Sequence, residues 1–382
     1  MKLRTRKLLS VLSGCALVLV LSACGGGGIG SEGDGNGEVT TAQAEGTASG
    51  DLTISNWPLY IDKQTVPDYE KASGVSVKYI EDINSYDEFF GKVQPLLAKG
   101  DSGDRSLMVA TDWLAKKMYD LGYIQKFDRK ALAPALSGIS PAARPPVTDP
   151  DRSYSIPWQG GLTGLIVNKE RAPEVDSVND LFDPKYKGRD EMLSEMRETP
   201  ALVMKAEGID PEQASTQDWL DTIDKLKDAV DSGQIRKFTG NDYAGDLANG
   251  DAVAVIGWAA DANQLAADNP DIEWVMPAEG CLTWWDNWVI PIGAPNPTAA
   301  YDWINYTYER ENQAQIVAWT NAITPVEGVR ELFEKTDPAL AKNKLIFPTE
   351  EYTANCSGVV SPPGDQAAPE EVEDAWLGLI SG

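Results

Sequence analysis

A chain of 382 residues has room for two domains or one large one. Its 42% hydrophobic and 24% charged content is ordinary for a globular protein. A net charge of −26 argues against a nucleic-acid partner, because phosphate binding needs clustered Lys and Arg. The same charge repels anionic ligands and fits a cationic one without requiring it. The absence of histidine removes His-based triads, His general bases and imidazole metal ligands together.

Lys2, Arg4, Arg6 and Lys7 form a basic head, Leu8 to Leu21 an apolar stretch, and small residues precede Cys24. This pattern predicts a signal peptide over residues 1–23, too short and wrongly flanked for a stable membrane span. Leu21-Ser22-Ala23-Cys24 resembles the lipobox of bacterial lipoproteins, which implies lipidation of Cys24 and anchoring at the outer face of the cell membrane. The plain alternative is a secretory signal with a chance cysteine. Residues 24–50 then read as the lipidated cysteine and a Gly-rich flexible tether, with a root-mean-square span of about 25–30 Å. Cys15 lies in the discarded segment and Cys24 carries lipid, so Cys281 and Cys356 remain. In an exported protein this pair is most simply one disulfide, with two free thiols as the alternative.

Folded structure is expected from Asp51. Leu52–Trp57 and Val75–Ile80 alternate as strands, separated by a short helix over Lys63–Ser73 that Gly74 stops. Ser85 opens a helix with Phe89, Phe90, Val93, Leu96 and Leu97 on one face, weakened by Pro95. Leu107–Ala110 is a buried strand leading into Thr111-Asp112, good N-cap types for a helix near Trp113. Tyr154–Trp158 and Leu162–Asn168 are two further strands around Gly160-Gly161. Residues 173–189 are loop-rich, and Glu195–Ala206 is helical, with two short pieces separated at Pro200 as the alternative. A helix spans Asp218–Val230, and a buried strand, Ala252–Trp258, ends in tryptophan. Helices follow over Ala299–Thr307, Asn312–Trp319 and Val372–Leu379. Alternating strands and helices predict an α/β layered fold, in which ligands sit at the C-terminal ends of strands. Trp57 and Thr111 both occupy such positions.

The densest stretch is Gly280-Cys281-Leu282-Thr283-Trp284-Trp285-Asp286-Asn287-Trp288. Aromatic faces with an embedded acid suit a ligand that is apolar along its length and cationic at its ends. An aromatic core strand is the alternative. Glu195 and Glu198, three apart at the start of the expected helix, share one face. They are either ligand-facing or simply complement the helix dipole. A glycosidase carboxylate pair fits the residue types as well. Asp261, three residues after Trp258, would by itself be an N-cap. No phosphate loop or metal cluster is visible, and neither enzymatic activity nor a cofactor is expected.

Asn56-Trp57-Pro58-Leu59-Tyr60-Ile61 resembles the Asn-Trp-x-x-Tyr stretch of the polyamine (spermidine/putrescine) binding proteins of bacterial ABC importers. The resemblance continues at Val109–Met118, Tyr154–Pro157, Asp180–Gly188, Asp246–Asp251, Ile256–Trp258 and Trp284–Asp286, and so covers nearly all of residues 51–382. It implies a two-lobed periplasmic-binding-protein-like fold of type II, with the ligand cleft between lobes. The expected lobes are 51–158 plus 287–323 and 159–286 plus 324–382, with crossings near Pro157–Gly161, Trp285 and Thr324. It also implies a ligand set: Trp57, Tyr60, Thr111 and Trp113 from the first lobe, Glu195, Glu198, Trp258 and Asp261 from the second, and Trp284 and Asp286 at a crossing. Trp285 and Trp288 would be packing residues. The implied function is capture of a polyamine by a monomer and its delivery to an ABC permease. A sugar, or another organic cation such as thiamine, is the nearest rival ligand. Two departures from the family pattern are a leucine, Leu59, where relatives often carry an acid, and the lack of an aromatic near Ala322 or Ile323.

Overall fold

The computed structural model describes residues 39–363 and 369–381. The expected signal peptide, Cys24 and residues 25–38 of the expected tether lie outside the described residues. The strands, in chain order, are β1 (Thr41–Ala42), β2 (Asp51–Asn56), β3 (Ser76–Glu81), β4 (Leu107–Thr111), β5 (Lys126–Phe127) and β6 (Ile156–Asn168). They are followed by β7 (Asp190–Leu193), β8 (Ile235–Thr239), β9 (Ala254–Trp258), β10 (Ile272–Val275), β11 (Leu282–Val289) and β12 (Ser357–Gly358).

The expected tether does not reach residue 50. β1 pairs in parallel with β5, and Ala42 is buried. The Asn296 amide donates to the carbonyls of Ser49 and Asp51. Gly-rich composition concealed a segment whose backbone is held by residues distant in sequence.

β2 begins at Asp51 and buries five of its six residues between flanking helices. The helix Thr65–Ser73 ends at Gly74, whose φ of 75° is the left-handed conformation glycine adopts without strain. Ser85 accepts from the Glu88 N–H and starts the helix Tyr86–Leu97, whose Pro95 falls in the last turn. β2, β3 and β4 pair in parallel, and β7 pairs in parallel with β8 and β9. β11 and β6 are antiparallel neighbours that join these groups into one sheet, in the order β3-β2-β4-β11-β6-β9-β7-β8. The fold is mixed α/β with a curled sheet.

The two strands expected around Gly160-Gly161 are one continuous strand, β6. Gly160 pairs with Trp285 and bridges Ile323, while Gly161 pairs with Trp284. The three expected crossing segments therefore lie side by side. A register shift at Asp286/Asn287 marks where β11 passes from one strand group to the other. Beyond Thr324, the carbonyl of Pro325 and the N–H of Glu327 bond to Ser140 and Gly138, so this stretch touches residues of the first expected lobe.

The glycine pair makes room for rings. Successive residues of a strand point to opposite faces, so Trp284 and Trp285 lie on opposite sides of the sheet. A Cβ on Gly161 would collide with the Trp284 indole, and one on Gly160 would sit 2.9 Å from the Trp285 ring. Gly161→Ala should therefore displace Trp284 at a cost of about 1–3 kcal/mol in folding stability. Chemical denaturation checks this, and an unchanged midpoint would show that the ring can yield. Trp288 is fully buried against Trp158, with ring centroids 4.5 Å apart.

Cys281 and Cys356 form a disulfide. It fastens β12 beside Leu282-Thr283, just before the tryptophan pair.

Candidate binding cleft

All but Trp113 and Glu195 of the expected ligand-contact residues line one cleft, together with Pro58, Tyr86, Asn241 and Ala260; the space between them, part of it open to solvent, is about 470 Å³. Three of them stand at or directly after strand ends. Trp57 follows β2, Thr111 ends β4, and Trp258 ends β9. Asp261 stands in the first turn of the next helix, Ala259–Asp268, rather than at its N-cap, which is Trp258. Trp284 and Asp286 come from β11. Trp57 meets Trp258 edge-on at 5.3 Å and Tyr86 at 5.0 Å, so residues from both strand groups touch across the slot.

Three carboxylates face this aromatic space, each held by donors. Asp286 accepts from the hydroxyls of Tyr86 and Tyr60, the latter at 3.1 Å. Glu198 accepts from the Thr163 hydroxyl and from the Trp258 indole N–H at 3.1 Å. Asp261 accepts from the Tyr243 hydroxyl and from the Asn241 amide at 3.0 Å. The lining contains no Lys or Arg. Burial pushes Asp286 up to about 7 against the lowering pull of the two tyrosines, with Glu198 adding a smaller upward push. Burial likewise raises Glu198 to about 7 and Asp261 to about 6, each opposed by its hydrogen bonds. The Asn241 carbonyl oxygen and the Trp57 indole N–H are buried without a hydrogen-bond partner among the described residues. Buried carboxylates without a cation are costly unless something positive joins them.

Glu195 and Trp113 are occupied elsewhere. The expected helix from Glu195 starts only at Thr199, with Pro200 in its first turn, so Glu195 and Glu198 share no helix face. Glu195 is buried and accepts from the Tyr86 backbone N–H at 3.0 Å, capturing the start of the helix Tyr86–Leu97. Burial raises its carboxyl well above the usual range, helped by Asp87 and Glu198. Trp113 lies beneath the buried Arg197 guanidinium, 3.6 Å from its ring centroid. The Thr111 hydroxyl donates to the Trp285 carbonyl instead of capping its helix. Leu59 is exposed and outside the lining, at a φ of 57°.

Sequence reasoning missed Tyr86 and Asn241. Tyr86 is the first residue of a helix following β3, a position where a strand-end rule would have found it. Asn241 follows β8, a strand that was not foreseen.

A family model for bacterial extracellular solute-binding proteins matches residues 64–348. A putrescine-binding periplasmic protein of Escherichia coli is 28% identical over 289 residues, covering 69% of this chain and 75% of that relative. A spermidine/putrescine-binding periplasmic protein of the same organism is 25% identical over 306 residues, covering 80% and 85%. The solved structure of a putative spermidine/putrescine ABC transporter protein from Listeria monocytogenes superposes with a TM-score of 0.75 at 24% identity, over 87% of this chain and 98% of that one. The Tp0655 lipoprotein of Treponema pallidum superposes with a TM-score of 0.71 at 21% identity, over 86% and 99%. The type II periplasmic-binding-protein fold, the ordered motifs and the strand-end cleft agree: the chain belongs to the bacterial extracellular solute-binding proteins, a family that binds solutes for import.

Proposed function

We propose that this protein captures a polyamine, putrescine or spermidine, outside the cytoplasm and hands it to an ABC permease. The observation that carries the reading is three buried carboxylates beside tryptophan and tyrosine faces, with no Lys or Arg in the lining. Aromatic faces take the methylene chain and attract ammonium groups. The carboxylates accept charge-assisted hydrogen bonds from those groups. Trp57, Tyr60, Thr111, Trp258 and Trp284 form the walls, and Glu198, Asp261 and Asp286 the charge. Asn241 supplies a further acceptor, while Glu195 and Trp113 support the site from outside. Two lobes, 51–158 with 287–323 and 159–286 with 324–382, close on the solute as the monomer docks. Cys24 carries a lipid that keeps the protein at the outer face of the membrane. The names of the relatives at 28% and 25% identity point the same way.

Titration calorimetry against putrescine, spermidine, thiamine and a maltose-type sugar tests the reading. Heat with the polyamines alone is expected. Silence with both polyamines would discard it.

Binding should also depend on pH. The carboxyls titrate near 6 to 7 in the folded protein, against about 4 unfolded, so the folded chain binds more protons between those values. For the empty protein, stability contributed by these groups therefore falls as pH rises from about 4 to 7. A cationic solute reverses the preference, because it favours the ionised acids. Affinity should be about 10- to 100-fold weaker at pH 5.5 than at pH 8. Calorimetry near pH 7 in buffers of different ionisation enthalpy should register proton release, and equal affinity at both pH values would contradict this account.

A further inference from the structure

We propose that Thr163 is a positioning residue of the cleft: its single hydroxyl ties the tryptophan wall to Glu198 and leaves one carboxylate oxygen, Oε1, for the solute. The inference rests on the reading that Glu198 meets a cation. Thr163 lies in β6, fully buried and behind the lining. Its Oγ1 accepts from the Trp284 indole N–H at 3.0 Å. An indole N–H can only donate, so the hydroxyl proton must go elsewhere, and Oε2 of Glu198 receives it. The same Oε2 accepts from the Trp258 indole N–H at 3.1 Å, another group that can only donate.

The proton inventory is then closed. Oε2 receives the Trp258 indole N–H, which can only donate, and the Thr163 hydroxyl proton, which has no other acceptor among the described residues, so a proton on Glu198 is directed to Oε1. That oxygen makes no hydrogen bond among the described residues. An ammonium N–H arriving there takes the place of that proton.

The local fold suits the arrangement. Gly161 and Thr163 are two apart in β6 and share a face. Gly161 leaves room for the Trp284 ring, and Thr163 receives its N–H. One hydroxyl thereby links β6, β11 and the turn that carries Glu198, while the Trp258 indole adds β9.

Indole resonances test this without any solute. In ¹⁵N-labelled protein followed from pH 5 to 9, the Trp258 and Trp284 indole N–H signals, assigned through Trp→Phe variants, should titrate with one shared midpoint. Glu198→Gln should abolish both titrations. In Thr163→Val, Trp284 should stop responding while Trp258 titrates at higher pH, because Oε2 has lost a donor. Putrescine affinity at pH 8 should drop about 10-fold in Thr163→Val and return to within about threefold in Thr163→Ser. Continued titration of Trp284 in Thr163→Val, its failure to titrate in the parent protein, or equal losses in the Val and Ser variants would overturn the assignment. A parent protein that binds no polyamine removes the polyamine reading instead, and the indole titration still decides the role of Thr163.

Discussion

Asp286→Asn should weaken putrescine and spermidine binding at least 10-fold, a loss of about 1.5–3 kcal/mol for a charged hydrogen bond. The substitution keeps the side chain's shape. It removes the negative charge and turns one acceptor of a tyrosine hydroxyl into a donor. The empty protein should respond in the opposite direction. Asp286 is buried, has no Lys or Arg beside it in the cleft lining and is pushed by burial up to about 7, so its ionised form opposes folding at pH 8. Asp286→Asn should therefore melt at the same temperature or higher at pH 8 without solute, yet gain less from added polyamine. Calorimetry and thermal melts with and without putrescine give both quantities. Unchanged affinity would remove Asp286 from the site. A large drop in the solute-free Tm would recast it as a structural residue.

Breaking the disulfide should have the largest effect on stability. Cys281 and Cys356 are 75 residues apart, and a loop of that length corresponds to about 4 kcal/mol of chain entropy withheld from the unfolded state. The double substitution of both cysteines by serine should lower Tm by about 5–10 °C. Affinity should also fall modestly, because β12 and the tryptophan pair share β11. Melting under non-reducing conditions checks the first effect. A Tm equal to that of the parent would mean that the bond closes a loop already ordered without it.

Much of the cleft was legible because strand ends carry their chemistry openly. Trp57 and Trp258 close alternating or continuous apolar runs, and the Trp284–Asp286 cluster stands out in composition alone. Tyr86 was hidden by its own helix: Phe89, Phe90 and Val93 fully account for an apolar face, so the first residue drew no notice. Asn241 was hidden by β8, Ile235-Arg236-Lys237-Phe238-Thr239, whose charges break the alternation. Arg236 pairs there with Glu191 and Asp246, and Lys237 with Asp246, partners that no local window contains. Glu195 was assigned to the cleft by residue type and motif position. Its carboxylate had a nearer use at a helix start 109 positions away in sequence. The Gly160-Gly161 pair read as a break because its reason, two indole rings on a partner strand, is non-local.

The placement of β1 has a practical side. The Tyr301 hydroxyl donates to the Ala42 carbonyl and accepts from the Asp128 N–H, both at 2.7 Å, so the residues before Asp51 complete a surface built far along the chain. Thr40 already belongs to the folded body, its backbone carbonyl receiving the Lys126 N–H. A fragment cut at Asp51, where alternation first becomes visible, would discard the strand β1 and its contacts. A shortened protein that is to keep these contacts must therefore start no later than residue 39, well before residue 51.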